Sequence, residues 1–160
     1  MSNPRNFTHS SNFFFGTNLF GEETIYSIQN FNLPGISFTH IDMAKSSVRG
    51  VIEGDTILYN DLSINIILDE KLEVWKDIIT TMQKMRNPYT SEGEYIHKRA
   101  WLEIHDDFSK IVLKIWFEDV MIESIDDIPF ASNQEDEIIT LGITLKYDYF
   151  TIDKSIPKPE

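Results

Sequence analysis

The stretch "DEIITLGITLKYDYFTI", residues 136–152, decides the fold class, because apolar and polar residues alternate along most of it. Successive side chains of a strand point to opposite faces, so this alternation is typical of a half-buried strand. At roughly 3.3 Å per residue such a strand would span about 40 Å, well beyond the usual five or six residues. We therefore expect a barrel, or a sheet that reaches beyond its own subunit. The apolar set is Ile139, Leu141, Ile143, Leu145, Tyr147 and Tyr149.

Three further segments alternate in the same way, at 62–68, 100–104 and 111–117. The "DDFS" between the last two, Asp106 to Ser109, has the length of an ordinary hairpin connection, so we expect these two strands to pair. Weaker strand patterns lie at residues 24–31, 36–43, 47–53 and 119–125.

A single helix is predicted at about residues 70–86, where apolar side chains recur at intervals of three and four. Asp69 is a favourable N-cap, and Asn87-Pro88 ends the pattern. Because the helix has one apolar stripe, we expect it to lie against a sheet, with Trp75 and Ile79 buried there.

Strands, one helix and then more strands predict a mainly β (α+β) fold in which the helix flanks a sheet. At 160 residues the chain is most simply one domain, 1–160. We expect a flexible N-terminal arm at about 1–12 and a frayed C-terminal tail at about 153–160. Residues 87–99 and 126–137 are predicted to be long loops.

The composition excludes several classes of protein. The net charge is −12, and residues 101–160 hold fourteen acids and five bases, so there is no basic stripe for specific DNA binding. The chain has no cysteine, which excludes disulfides and thiolate chemistry. No signal peptide is visible at the start, and the apolar run "IVLKIWF" is too short to span a membrane. We expect a soluble protein made inside the cell, without membrane binding.

A search for catalytic and metal-binding motifs finds none. The four histidines lack the spacing of a zinc site, and there is no nucleophile elbow, phosphate loop or dinucleotide fingerprint. The paired acids fall at the helix start or in predicted turns, where Asp forms local hydrogen bonds. We therefore expect no enzyme, no cofactor and no metal.

Two apolar segments have open interpretations. In "FNLPGISFTHID", residues 31–42, a Pro-Gly turn signal is flanked by apolar residues, so the chain either bends inside a core or meets another subunit. The run Phe13, Phe14 and Phe15 either folds into the core as a strand edge or leaves one face for a neighbour.

The order of these motifs resembles the tail tube protein family of contractile-tailed bacteriophages over roughly residues 12–152. The likeness is carried by "LPGI" (33–36), "GDTILYNDLSINIILDE" (54–70), a helix that contains Trp75, and the terminal "LKYDYFTI" (145–152). In that family a Gly-Asp before an aromatic residue and an Asp leads into a central strand. The matching residues here are Gly54, Asp55, Tyr59 and Asp61.

The resemblance implies a β-sandwich or barrel-like tail-tube fold whose copies form hexameric rings around a lumen that conducts DNA. It implies a structural virion protein of the phage tail, assembled in the host cytoplasm with neighbouring tube, sheath, baseplate or neck proteins. The N-terminal sequence lacks the helix-like start of main tube subunits, and the 87–99 loop is distinctive. A baseplate hub, tube initiator or tail terminator is therefore the alternative to the main tube subunit.

The resemblance also gives expected positions for individual residues. Leu33, Pro34, Gly35 and Ile36 would contact an adjacent subunit at the end of a long hairpin. Part of the acidic surplus would face the lumen and let DNA pass without sticking. The candidate lumen acids are Glu103, Asp106, Asp107 and Asp148.

Two other classes of function stay open at this point. Long alternating strands with many aromatic residues also suit a β-barrel that binds a small apolar ligand. A carboxylate-dependent hydrolase of the cell wall is the third hypothesis.

Overall fold

The structure is a computed structural model that describes residues 13–20, 23–45, 47–84, 98–106, 108–132 and 138–155. The predicted N-terminal arm, most of the 87–99 loop and the last residues of the tail lie outside the described residues. The described elements are β1 Phe13–Thr17, β2 Thr24–Tyr26, β3 Ile28–Phe31, β4 Ile36–Lys45, β5 Val48–Tyr59, β6 Leu62–Ile67, α1 Glu73–Lys84, β7 Arg99–His105, β8 Ile111–Glu118, β9 Met121–Ile125, β10 Thr140–Lys146 and β11 Tyr149–Ile152.

Two open sheets form the body of the protein. One has five strands in the order β11-β8-β7-β1-β2, and the other has four in the order β3-β6-β10-β9. All described pairings between strands are antiparallel. The predicted mainly β sandwich with a flanking helix is confirmed, and the sheets formed by the described strands do not close into a barrel.

The core lies between these two sheets, and strand alternation explains which residues fill it. On β6 and β10 every second side chain is buried, as the sequence predicts. The register places these side chains directly opposite each other, so they cover one face of the four-stranded sheet. The opposed pairs are Leu62 with Leu145, Ile64 with Ile143 and Ile66 with Leu141.

The five-stranded sheet is covered on its second face as well. Trp101 is buried there, and its ring lies against Gly16 on the neighbouring strand, in the space that a Cβ would occupy. Trp101 and Trp116 pack against each other, and Lys114 lies 4.5 Å from the centroid of the Trp116 ring. Long side chains of the sheet itself therefore shield this face from water.

The prediction of one long strand over residues 136–152 is wrong. The chain leaves the four-stranded sheet after Lys146 and enters the five-stranded sheet at Tyr149. At this crossover the N–H of Asp148 donates to the carbonyl of Glu118 at 3.0 Å. Phe150, not Tyr149, packs against the core, so the alternation shifts by one residue. Because the crossover between the sheets takes only two residues, the apolar-polar alternation continues almost unchanged through it. Counting the period of the alternation therefore does not detect it.

Helix α1 begins later than predicted, at Glu73. Asp69 still caps it, because its carboxylate accepts the N–H groups of Glu73 at 3.3 Å and Val74 at 3.5 Å. Ile78 is fully buried, whereas Trp75 and Ile79 are only partly buried. The expected burial of Trp75 and Ile79 is therefore wrong in part, because the helix turns a different side chain to the core.

Candidate assembly surfaces

A long hairpin made by β4 and β5, residues 36–59, forms a separate two-stranded sheet. Each strand packs extensively on the other, and no other described element packs extensively on either. No residue of β5 is buried. Nearly half of the exposed large hydrophobic side chains among the described residues lie within 33–58. They are Leu33, Ile36, Phe38, Ile41, Met43, Val48, Val51, Ile52, Ile57 and Leu58.

The pairing register divides the outer half of the hairpin into two unlike faces. Ile41 lies opposite Ile52, and Met43 and Val48 lie on the same face of the ladder. We call these four side chains the apolar face of the hairpin. The opposite face is charged, with Arg49 and Asp42 joined by an ion pair of 2.9 Å.

An aromatic cluster holds the base of the hairpin on the body. Tyr59, the last residue of β5, contacts Phe150 at a centroid distance of 5.3 Å and Tyr147 at 6.1 Å. The hydroxyl of Tyr147 donates to the carbonyl of Asn60 at 2.7 Å. Burial, with Asp61 and Tyr59 nearby, raises the pKa of Tyr147 to about 12. This cluster lies where β10 crosses to β11, so residues of the crossover contact the base of the hairpin.

The Pro34-Gly35 pair lies at this base, between the end of β3 and the start of β4. The carbonyl of Gly35 accepts the N–H of Asn60 at 3.0 Å, which closes the base. Leu33 and Ile36, on either side, are each 51% exposed. The apolar rim of the turn therefore lies outside the core of this chain, and its role at a subunit contact stays a prediction.

The three phenylalanines of β1 have three different environments. Phe13 packs edge-on against Phe31 at a centroid distance of 4.9 Å, and Phe14 packs in the same way against His105 at 5.0 Å. Phe15 is 2% exposed and belongs to the core, which corrects its expected role at a subunit interface. Strand alternation places Phe13 and Phe15 on the face towards the core and Phe14 on the opposite face.

The candidate lumen acids do not form one cluster. Asp106 accepts the N–H groups of Phe108 and Lys110, both at 2.9 Å, and so shapes the turn before β8. Asp148 is exposed at the opposite end of β8, next to Glu118. Asp107 lies outside the described residues.

Glu103 is the most constrained of these acids. Its carboxylate lies 3.0 Å from the ammonium of Lys114 and 3.1 Å from Nε2 of His105. Burial acts to raise the pKa of Glu103, but the hydrogen bonds from Lys114 and His105 outweigh it, so the pKa lies below its ordinary value. A paired carboxylate repels phosphate less than a free one, so Glu103 suits the expected lumen role least.

Sequence reasoning missed an apolar groove between α1 and residues 125–130. The groove is open, has a volume of about 300 Å³, and is lined by Asp126 and Asp127 as well as by apolar side chains. The available signal was "IDDIPF", residues 125–130, in which apolar residues flank two acids where a predicted loop begins. The apolar lining is Leu72, Trp75, Ile79, Ile125, Ile128 and Phe130, which we call the α1 groove.

No catalytic arrangement of side chains is evident among the described residues. Among them, no three His, Asp or Glu side chains come close enough to hold a metal ion. Across the same ranges, no helix has the length and apolarity needed to cross a membrane.

The fold is similar to that of solved proteins from contractile injection systems. A chain of the anti-feeding prophage baseplate has a TM-score of 0.69 at 8% identity, over 95% of this chain and 97% of that chain. A chain from the sheath/tube terminator of an extracellular contractile injection system has a TM-score of 0.69 at 11% identity, over 94% of this chain and 99% of that one. Hcp1 from Salmonella typhimurium has a TM-score of 0.50 at 14% identity, over 87% of this chain and 84% of that one.

No protein-family model and no curated protein matches the sequence. At identities this low the similarity establishes the fold. The chain has the tube fold of contractile injection systems, and the resemblance seen in the sequence is confirmed at that level.

Proposed function

We propose that this chain is a structural virion subunit that forms hexameric rings in the tube of a contractile tail or in one of its end pieces. The observation that carries the proposal is the long hairpin, whose apolar face is exposed and on which no other described element packs extensively. The fold supports a structural role in such assemblies, since similar solved chains come from baseplate and terminator structures.

The physical argument starts from the hairpin alone. An isolated two-stranded hairpin is marginally stable in water, because it has no third strand or helix to cover its apolar side chains. Among the described strands, neither outer edge of the hairpin has a neighbouring strand, so its backbone groups can pair with another chain. A contiguous apolar surface of this kind marks a site of protein association. We therefore assign the long hairpin to contacts between copies of this chain.

An end piece, such as a tube initiator or terminator, is the second form of the proposal. A chain from an extended sheath-tube complex gives a TM-score of 0.60 at 14% identity, below the 0.69 of the baseplate and terminator chains. This ranking favours the end piece over the repeated tube subunit, and both use the same hairpin.

The other two hypotheses have less support from the described residues. A small-ligand barrel needs an enclosed apolar cavity, whereas the sheets are open and the α1 groove lies at the surface. A carboxylate hydrolase needs two acids across a cleft, whereas Glu103 is ion-paired and Asp106 shapes a turn.

DNA passage without specific binding is part of the proposal and depends on the acidic surplus. Asp148 is the most suitable described candidate for the lumen, because it is exposed. Glu103 is neutralised by Lys114 and contributes little negative potential.

Electron microscopy of the purified protein tests the ring. We expect annular particles with six-fold symmetry at high concentration, or after addition of neighbouring tail proteins. The paired substitution Ile41→Lys with Ile52→Glu puts charge on two of the four side chains of the apolar face, yet places opposite charges across the ladder and so retains the hairpin. We expect this variant to keep its melting temperature and to lose the rings.

The matched control is Phe108→Asp, which also removes an exposed hydrophobic side chain but lies in the β7–β8 turn. This control should still form rings. A wild-type protein that stays monomeric alone and with its neighbouring tail proteins contradicts the proposed function.

A further inference from the structure

The two strands of the long hairpin change register partway along their length. Phe38 pairs with Ile57 before the break, and His40 pairs with Glu53 after it. One residue of β4 therefore lies opposite three residues of β5, which are 54–56. A bulge of this kind bends the longer strand and increases its twist, so it changes the direction of the hairpin beyond it.

Gly54 allows the two strands to approach closely at this break. A Cβ on Gly54 would lie 2.6 Å from the carbonyl oxygen of Thr39 and 2.8 Å from its carbonyl carbon. At Gly142, by contrast, the closest atoms belong to the exposed carboxylate of Asp126, which can turn away. The hydroxyl of Thr39 also donates to the carbonyl of Thr56 at 3.4 Å, across the break. A larger residue at position 54 must therefore displace the backbone of the opposite strand.

The break separates two parts of the hairpin that differ in attachment. The inner part is held on the body through Tyr59, whose ring contacts Phe150 at 5.3 Å. The outer part carries the apolar face of the hairpin. Because strand alternation does not carry past a bulge, the backbone at the break decides where this face points relative to the body.

Resting on the proposed function, we infer that the bulge aims the apolar face of the hairpin at a neighbouring copy of this chain, and that Gly54 is the positioning residue. Lys45 lies six residues beyond Thr39, so the tip is about 20 Å from the break at roughly 3.3 Å per residue. A change of about 15° at the break moves such a tip by about 5 Å. Apolar side chains touch only within roughly 4.5 Å, so a displacement of this size breaks the contact.

Deletion of Asp55 and Thr56 tests the inference without removing the hairpin. The deletion leaves Gly54 opposite Thr39 and joins the two regular ladders into one. We expect this variant to keep its melting temperature within about 2 °C, because every regular strand pair is retained. It should nevertheless form at least about ten times fewer rings than the wild type, since the apolar face points elsewhere.

Distances between spin labels report the direction of the tip in dilute protein, and labelling is specific because the natural chain has no cysteine. One label is placed on Val48→Cys at the tip, and the second on Phe108→Cys or on Phe130→Cys in the body. All three side chains are exposed. We expect the deletion to shift at least one of the two distances by about 5 Å or more, without a broader distribution.

Two single substitutions separate the role of Gly54 from that of glycine in general. Gly54→Ala should shift the same distances and lower the yield of rings. Gly50→Ala is the matched control, because Gly50 lies in the regular part of β5 opposite Met43, and it should leave both distances unchanged.

Rings that persist in the deletion variant, or distances that do not change in it, overturn the inference and leave the proposed function standing. Equal distances in Gly54→Ala and Gly50→Ala overturn the role of Gly54. A wild-type protein that forms no rings, alone or with its neighbouring tail proteins, overturns the proposed function and the inference together.

Discussion

The body and the long hairpin use the same kinds of residue in opposite ways. In the body, Ile64 and Ile143 face each other on neighbouring strands and are buried between two sheets. In the hairpin, Ile41 and Ile52 face each other in the same way and are 61% and 49% exposed. The body buries its apolar side chains within one chain, whereas those of the hairpin stay exposed among the residues that the structure describes. The difference shows that the hairpin is held by its own strand pairing and leaves its apolar side chains exposed.

The contrast between the body and the hairpin is tested most directly by making the same substitution, Phe to Ala, in both regions. Phe117→Ala should lower the free energy of unfolding by about 3–5 kcal/mol, because Phe117 is fully buried and its removal leaves a cavity. Phe38→Ala in the hairpin should change it by less than about 0.5 kcal/mol in dilute solution, because Phe38 is 59% exposed. Denaturant unfolding at low protein concentration measures both. A similar cost at the two positions contradicts the account, since it requires that the hairpin packs on its own body.

A smaller effect is expected where the two regions join. Tyr147→Phe removes the hydrogen bond to the carbonyl of Asn60 and should lower the free energy of unfolding by about 1 kcal/mol. The pKa of Tyr147 is about 12 in the fold against 10.0 in the reference state. The folded state therefore favours the neutral phenol. The contribution of this phenol to stability is complete below pH 10 and is lost as the pH rises towards 12.

Alkaline unfolding curves measure this difference, and the Phe variant should lose less stability than the wild type between those two pH values. The control is Tyr149→Phe, at an exposed tyrosine two residues away. An identical alkaline loss in wild type and Tyr147→Phe would show that this phenol does not link hairpin and body.

The smallest effect is expected on the outer face of the five-stranded sheet. Lys114 and His105 keep the pKa of Glu103 below its reference value of 4.5. The carboxylate therefore stabilises the fold above pH 4.5, and this contribution disappears as the pH falls below that value. Glu103→Gln should remove this pH-dependent contribution and should lower the free energy of unfolding by less than about 1 kcal/mol at neutral pH.

Thermal melts between pH 3 and pH 7 measure the effect. Glu123→Gln is the matched control, since Glu123 pairs with Lys146 at 3.1 Å on a more exposed part of the surface. If the control flattens the pH profile as much as Glu103→Gln does, the pair at Glu103 has no special role.

Much of the body could be predicted from the sequence, because burial between two sheets imposes a period of two. The alternation of Leu62, Ile64 and Ile66 predicts β6, and the apolar repeat predicts the helix near its observed place. Period counting failed at Tyr147 and Asp148, where the chain changes sheets without a turn signal. Hydrogen bonds to distant residues, such as that from Asp148 to Glu118, decide such a crossover.

The candidate surfaces were predicted only in part. The apolar rim of Pro34-Gly35 pointed to an unusual turn, yet the hairpin beyond it could not be divided into faces from the sequence. A break in register between Phe38 and His40 shifts the pairing, so alternation along one strand does not carry past it. The α1 groove depends on how a helix and a loop meet, which no local pattern encodes.

Hydrogen exchange of the backbone amides in dilute and in assembled protein tests the central claim most directly. Amides of the body, such as those of β6 and β10, should be protected in both states, because their partners lie in the same chain. Amides on the outer edges of β4 and β5 should exchange rapidly in the dilute protein and become protected in the assembled one. Equal exchange of these hairpin amides in the two states would contradict the account, because the hairpin would then gain no partner on assembly.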